Sequence, residues 1–488
     1  MAVAVPPGQL NRAPKKTAPE AGLILPEMKR ITRNTMETEL TSEEILRKTR
    51  ALMPGVLDDL KNLIRYPSVA FPGYPAEPVH AMAAATAAVL KRSGLPNARL
   101  MDIPGGYPAV YGEIPPPPGA PTVMMYAHYD VQPARREDGW DEDPWTPVEK
   151  GGRLYGRGAA DNKSGILIIA ASLKVFEGKP PVGVKVLIEG EEETAGHLEE
   201  YVAAHPAFFR CNAFIVADNG NILAGEPALT TTLRGEVSCI IGVRTLDHAV
   251  HSGTFGGAAP DALVALIRIL ATLHDAQGTV AVKGLRSSLS GNAEYPEETF
   301  RENAGVLPGV GLTGTGSIGS RLWSKPSVTV IGIDAPSVSA SSNILIPRAS
   351  AKISMRIAPD ADPRQELNLL TAHLRAVVPG NVRVEVRDVS EHPGFVCPTG
   401  GPGFAAARGA LETAFGKRAR EKGAGGSIPL MRVLHDAVPA AEFILWGAAD
   451  DARSSIHGTN ESVDIRELER FIVAQSLFLQ RAGTWRRD

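Results

Sequence analysis

With 488 residues the chain is too long for one ordinary hydrophobic core, so two or three domains are expected. Its 51 basic and 54 acidic residues leave a formal net charge of −3, which argues against a nucleic-acid partner. No apolar run approaches the ~18–20 residues that span a bilayer, so no membrane role is expected. Three scattered cysteines (Cys211, Cys239 and Cys397) offer neither a disulfide framework nor a Cys-x-x-Cys site, and point to a reducing cytoplasm.

Residues 1–40 are rich in Pro and Ala, lack the apolar centre of a signal peptide, and read as a mobile arm. A helix is expected to begin at Thr41-Ser42-Glu43-Glu44, with Thr41 or Ser42 as N-cap, and a second amphipathic stretch to cover 56–64. After a proline loop at 115–118, residues 122–126 form a short apolar run that fits a buried strand ending at His128 and Asp130. Residues 165–176 read as a helix. A strand at 182–188 runs into Glu191-Glu192-Glu193, and another at 213–217 ends at Asp218. From 233 to 397 the texture changes. Strands at 236–243, 351–357 and 382–386 alternate with helices at 261–273 and 364–377, and 307–320 is a Gly/Ser/Thr-rich loop. A last strand, 442–446, feeds the loop that carries His457.

Four strands thus deliver four motifs at their C-terminal ends, where open α/β sheets place their binding crevice. Residues 235–396 carry none of those motifs. They suggest a sheet covered by helices on one face, an α+β insertion into an α/β domain formed by 41–234 and 397–488.

His128, Asp161, Glu193, Asp218 and His457 make a mixed N/O donor set suited to two zinc ions and tolerable for manganese or cobalt. For five residues to hold two metals, one carboxylate must bridge. Each has a plain explanation by itself: a surface His-x-Asp pair, a helix cap, a solvated acidic run, a turn aspartate, a structural histidine. Together, at strand ends, they point to a metal centre whose positive charge offsets the carboxylates. Asp130, two residues beyond His128, is expected to accept from the second ring nitrogen and fix the tautomer. Glu192, beside a ligand, is left as general base. His251 opens His251-Ser252-Gly253-Thr254-Phe255-Gly256-Gly257 in the insertion, where it could stabilise a developing oxyanion. His80, His197, His205, His274, His373, His392 and His435 read as surface or packing residues.

Five stretches carry a resemblance: His128-Tyr129-Asp130-Val131-Gln132-Pro133, Asp138-Gly139-Trp140-Asp141, Leu154-Tyr155-Gly156-Arg157-Gly158, His251-Ser252-Gly253 and Gly425-Gly426-Ser427-Ile428-Pro429. With the paired glutamates and in this order, over about residues 45 to 480, the chain resembles the M20 metallopeptidases and their carnosinase-like cytosolic dipeptidase branch. The resemblance implies a zinc-peptidase α/β catalytic domain with an inserted α+β lid and dimerisation domain. It further implies two zinc ions bridged by Asp161, with His128 and Asp218 on one and Glu193 and His457 on the other, and Glu192 as base. It implies a homodimer in which His251 reaches the partner's site, Arg356 as the holder of the substrate's terminal carboxylate, and Gly426 and Ser427 lining that pocket. Two departures bear on substrate choice: Thr194-Ala195-Gly196-His197 is one residue short of the usual form, and Ser455-Ile456-His457 replaces the common Gly-Ala-His. The expected function is hydrolysis of dipeptides or short peptides. An N-acyl- or N-succinyl-amino-acid deacylase or a carboxypeptidase would use the same site, and a non-catalytic peptide-binding protein would keep only the scaffold.

Overall fold

The computed structural model describes residues 40–485 apart from 195, 289–293, 427 and 429. The expected arm therefore lies, except for Leu40, outside the described residues. In chain order the strands that matter are β1 (Arg99–Met101), β2 (Ala109–Ile114), β3 (Thr122–His128), β4 (Gly183–Glu189), β5 (Ala213–Val216), β6 (Ala228–Leu233), β7 (Gly235–Arg244), β8 (Ser327–Asp334), β9 (Arg348–Ile357), β10 (Arg383–His392), β11 (Phe395–Val396), β12 (Arg420–Ala424) and β13 (Glu442–Leu445).

Nine of them make one sheet in the order β1-β2-β4-β3-β5-β13-β6-β11, with β12 alongside β6. Its centre is parallel: β3 pairs with β4 and β5, and β13 with β5. The side chains of β3 alternate between two cores. Val123, Met125 and Ala127 face helices Ser42–Ile64, Lys163–Val175 and Ile465–Ala482, whereas Met124 and Tyr126 pack on the opposite side with Leu198 and Leu434. A strand covered on both faces needs an unbroken apolar run, which is why 122–126 is legible as buried.

The two stretches expected at the start are one helix, Ser42–Ile64. Thr41 and Glu44 close a capping box, each side chain accepting the other's backbone N–H. Pro54 lies inside this helix and interrupts the polar pattern without ending it. At its far end the buried Lys163 donates to the carbonyls of Leu63 and Tyr66, serving as a C-cap supplied from 100 residues away.

The second sheet is antiparallel and four-stranded, in the order β8-β9-β7-β10. Helices Ala262–Ala271 and Pro363–Ala376 bury one face through Cys239, Ile241, Ile353, Met355, Leu266 and Leu370. The alternate residues lie on the opposite face. The chain passes from the large sheet to the small one between Leu233 and Gly235 and returns between His392 and Phe395. Strand β8 has no counterpart in the sequence reading, and the loop read at 307–320 ends in a short helix, Ile318–Trp323. The chain is thus a mixed α/β protein whose two larger sheets pack on separate cores, the nine-stranded sheet on two and the four-stranded sheet on a third. Among the described residues no helix is long and apolar enough to cross a membrane.

Candidate active site

His128 is the last residue of β3 and fully buried. Its Nδ1 lies 3.0 Å from the backbone carbonyl of Asp130 and 3.3 Å from Asp130 Oδ1. The expected contact with the carboxylate is therefore present but longer than the contact to the backbone, and either acceptor leaves Nε2 facing the crevice. The Asp130 carboxylate also accepts from the backbone N–H of Glu192 (3.1 Å) and of Glu193 (3.0 Å). One buried aspartate thus braces the loops after β3 and β4 together.

Asp161 follows a glycine turn in which Gly158 has φ +84° and a Cβ would stand 2.8 Å from Val131 Cγ1. The turn is held by Glu461, which the sequence reading passed over. Its Oε1 accepts from the N–H groups of Ala160 and Asp161, and its Oε2 accepts from Gly158 N–H and from Arg157 Nη1 at 2.7 Å. Glu461 lies four residues beyond His457 and is fully buried, so it locks the Asp161 loop to the His457 loop. Two further supports were missed. Asn162 donates to Asp218 Oδ1 at 2.6 Å, and Gln132 donates to Glu193 Oε2 at 2.7 Å. An acid four residues beyond a ligand was all the sequence offered for Glu461, with nothing local to show its partners; the two amides gave no signal.

These loops converge. Asp161 Oδ1 is 2.9 Å from His128 Nε2, while its Oδ2 is 3.1 Å from His457 Nε2. His457 Nε2 is also 3.0 Å from Glu193 Oε2, and His128 Nε2 is 3.5 Å from Asp218 Oδ1 and 4.0 Å from Glu192 Oε2. Among the described residues two triads offer donor atoms within 4.8 Å of one another: His128, Asp161 and Glu193, and His128, Glu192 and Asp218.

Burial pushes Asp218 up to about 6 and raises Glu193 as well, and burial together with the charge of Asp218 lifts Glu192 far above the usual carboxylate range. Burial also opposes ionisation of Asp161, but hydrogen bonds from His128 and His457 outweigh it and hold this carboxyl well below that range. His457 is lifted to about 10, its burial being overcome by hydrogen bonds to Asp161 and Glu193. So many crowded carboxylates against two imidazoles form a centre short of positive charge. Two divalent cations fit both that deficit and the N/O donor set.

A cavity of about 640 Å³ opens on this cluster. Arg356 and Gly426 line it, whereas Ser427 is outside the described residues. Arg234, Glu236, Lys422 and His392 line it too, so His392 is a cavity residue and not the surface or packing residue expected. His251 is not among the lining residues. It is exposed, and its Nδ1 accepts from the N–H groups of Gly253 and Thr254, capping a four-residue helix. In the shortened glutamate motif, Glu191 pairs with His197 at 3.0 Å.

The profile of the peptidase family M20/M25/M40 matches residues 124–481. The cysteinylglycine-S-conjugate dipeptidase of Corynebacterium striatum is 37% identical over 372 residues, covering 75% of this chain and 82% of the relative. The Beta-Ala-His dipeptidase of Rattus norvegicus is 31% identical, over 73% and 76% of the two chains. The crystal structure of human carnosine dipeptidase 1 superposes with a TM-score of 0.75 at 26% identity, covering 90% of this chain and 98% of that one. The Saccharomyces cerevisiae di-peptidase Dug1p shares the fold, with a TM-score of 0.76 at 23% identity over 91% and 99%. With a family profile spanning most of the chain and a two-metal donor set of histidines and carboxylates gathered in one cluster, the chain belongs to the M20/M25/M40 peptidase family and is a metal-dependent hydrolase.

Proposed function

We propose that the chain hydrolyses the amide bond of dipeptides or similarly short peptides, with Glu192 as general base. The observation that carries this reading is Asp161, which turns one oxygen to each of the two histidines, as a shared ligand must. His128 and Asp218 complete one metal set, and Glu193 and His457 the other. The triad with His128 and Asp218 also offers Glu192 as a ligand. We assign it the base role because it stands farther from His128 than Asp218 does and because His457 already completes the second set.

Two bound divalent ions, zinc or alternatively manganese or cobalt, supply Lewis acidity towards the scissile carbonyl and the attacking water. Glu192 takes the proton of that water and passes it to the leaving amine. Asp130 keeps Nε2 of His128 aimed at the crevice and anchors the backbone of Glu192. Arg356, on the wall of the cavity, holds the terminal carboxylate, and Gly426 lines the same cavity. The cavity lies between the large sheet and residues 235–396, which supports a lid role for that segment. His251, exposed and off this cavity, acts at a second subunit's site in a homodimer. The dipeptides named for the relatives support this substrate class.

Zinc-loaded protein assayed against dipeptides, N-acetyl and N-succinyl amino acids tests the proposal. Dipeptide turnover should dominate. Turnover confined to N-acyl substrates would make the chain a deacylase, and metal binding without any turnover would leave a peptide-binding scaffold.

A further inference from the structure

The face of the small sheet away from its helices reaches the cavity as a row of three residues paired across three strands. Arg356 of β9 is opposite Glu236 of β7, and Glu236 is opposite His392 of β10. All three line the cavity. Adjacent strands are ~4.8 Å apart, so this wall offers a guanidinium, a carboxylate and an imidazole in steps of about that size. Glu236 Oε2 is 3.1 Å from Arg356 Nη1, and its Oε1 accepts from Ser354 Oγ at 2.6 Å. The Glu236 side chain is 23% exposed and that of Arg356 33%, so both are held in place yet open to the cavity.

A substrate carboxylate that docks on Arg356 therefore arrives beside a fixed negative charge. A lone arginine would accept any terminal carboxylate. An arginine paired with a glutamate disfavours a second anionic group and favours a cation next to the carboxylate, which is selection by repulsion as well as attraction. A C-terminal residue with a basic side chain brings a carboxylate and a cation on neighbouring branches, matching neighbouring strands. We propose that Glu236 makes this site selective for peptides with a basic C-terminal residue (Lys, Arg or protonated His) and against those with an acidic one. The inference rests on the dipeptide reading and on Arg356 as the carboxylate holder.

The test uses zinc-loaded wild type, Glu236→Gln and Glu236→Lys with the dipeptides Ala-Lys, Ala-Leu and Ala-Glu. Wild type should prefer them in that order by kcat/KM. Glu236→Gln should raise KM for Ala-Lys about two- to fivefold, the effect of a partly screened ion pair, and should raise it more for Ala-Lys than for Ala-Leu. Glu236→Lys should invert the order of Ala-Lys and Ala-Glu, and circular dichroism with zinc content certifies that each variant is folded. Equal losses on all three substrates would mean that Glu236 only steers Arg356, and would overturn the proposal. Dipeptide turnover without preference in wild type would overturn it while leaving the functional reading intact. No turnover of any dipeptide would bring down both.

Discussion

At the large sheet four of the five candidate ligands come at or after strand ends, with Asp161 on a glycine turn, and three of those strands are parallel and buried on both faces, so most of the chemistry arrives as short motifs after apolar runs. At the small sheet Arg356, Glu236 and His392 come from three antiparallel strands whose open face is polar, and they meet only through register. The contrast separates two ways of building a site. One end of the cavity is set by where strands stop, and the other by which residues stand opposite one another. The first should govern turnover and metal retention, and the second the choice of substrate.

The largest expected effect is at the strand-end side. Glu192→Gln should retain its metals and lose ~10²–10⁴-fold in kcat, because an amide cannot accept the proton. Steady-state kinetics beside metal analysis reads this directly. Wild-type kcat with metals bound would remove Glu192 as the base and blur the division between the two ends.

Glu461→Ala tests the same end through stability. It strands the buried Arg157 and frees three backbone N–H groups of the Asp161 turn. Removing one partner of a buried pair costs about 3–5 kcal/mol. Denaturant unfolding should show that loss, and zinc affinity should fall with it. Unchanged zinc affinity in the folded variant would mean that the Asp161 loop does not depend on Glu461.

A smaller signal addresses the inserted segment. If His251 serves the partner's site, inactive His251→Ala and Glu192→Gln proteins should complement after subunit exchange. Equal random mixing would restore about a quarter of wild-type activity, since half the dimers are mixed and each has one intact site of two. No recovery after demonstrated exchange would place His251 outside the partner's site.

The same contrast explains what could be read from the chain alone. His128, the Glu191–Glu193 run and Asp218 were legible because each ends an apolar run, and an acidic cluster after a buried strand needs a physical reason. The small sheet was legible where one face is apolar, as at Val237, Cys239 and Ile241. Strand β8 was not, because all but its first two residues are exposed and leave no alternation to find. His392 has no local context, and its place in the cavity follows from pairing with a strand about 150 residues earlier. Glu461 stood in view within the His457 loop, but its donors come from about 300 residues away, and no local pattern announces a partner at that distance.

The most direct test is a zinc titration of Asp161→Ala beside Asp218→Ala. If Asp161 is the shared ligand, wild type binds two zinc ions per chain, Asp161→Ala loses high-affinity binding of both, and Asp218→Ala loses chiefly one. One zinc ion held at wild-type affinity by Asp161→Ala would contradict the shared ligand, and with it the two-metal centre described for this fold.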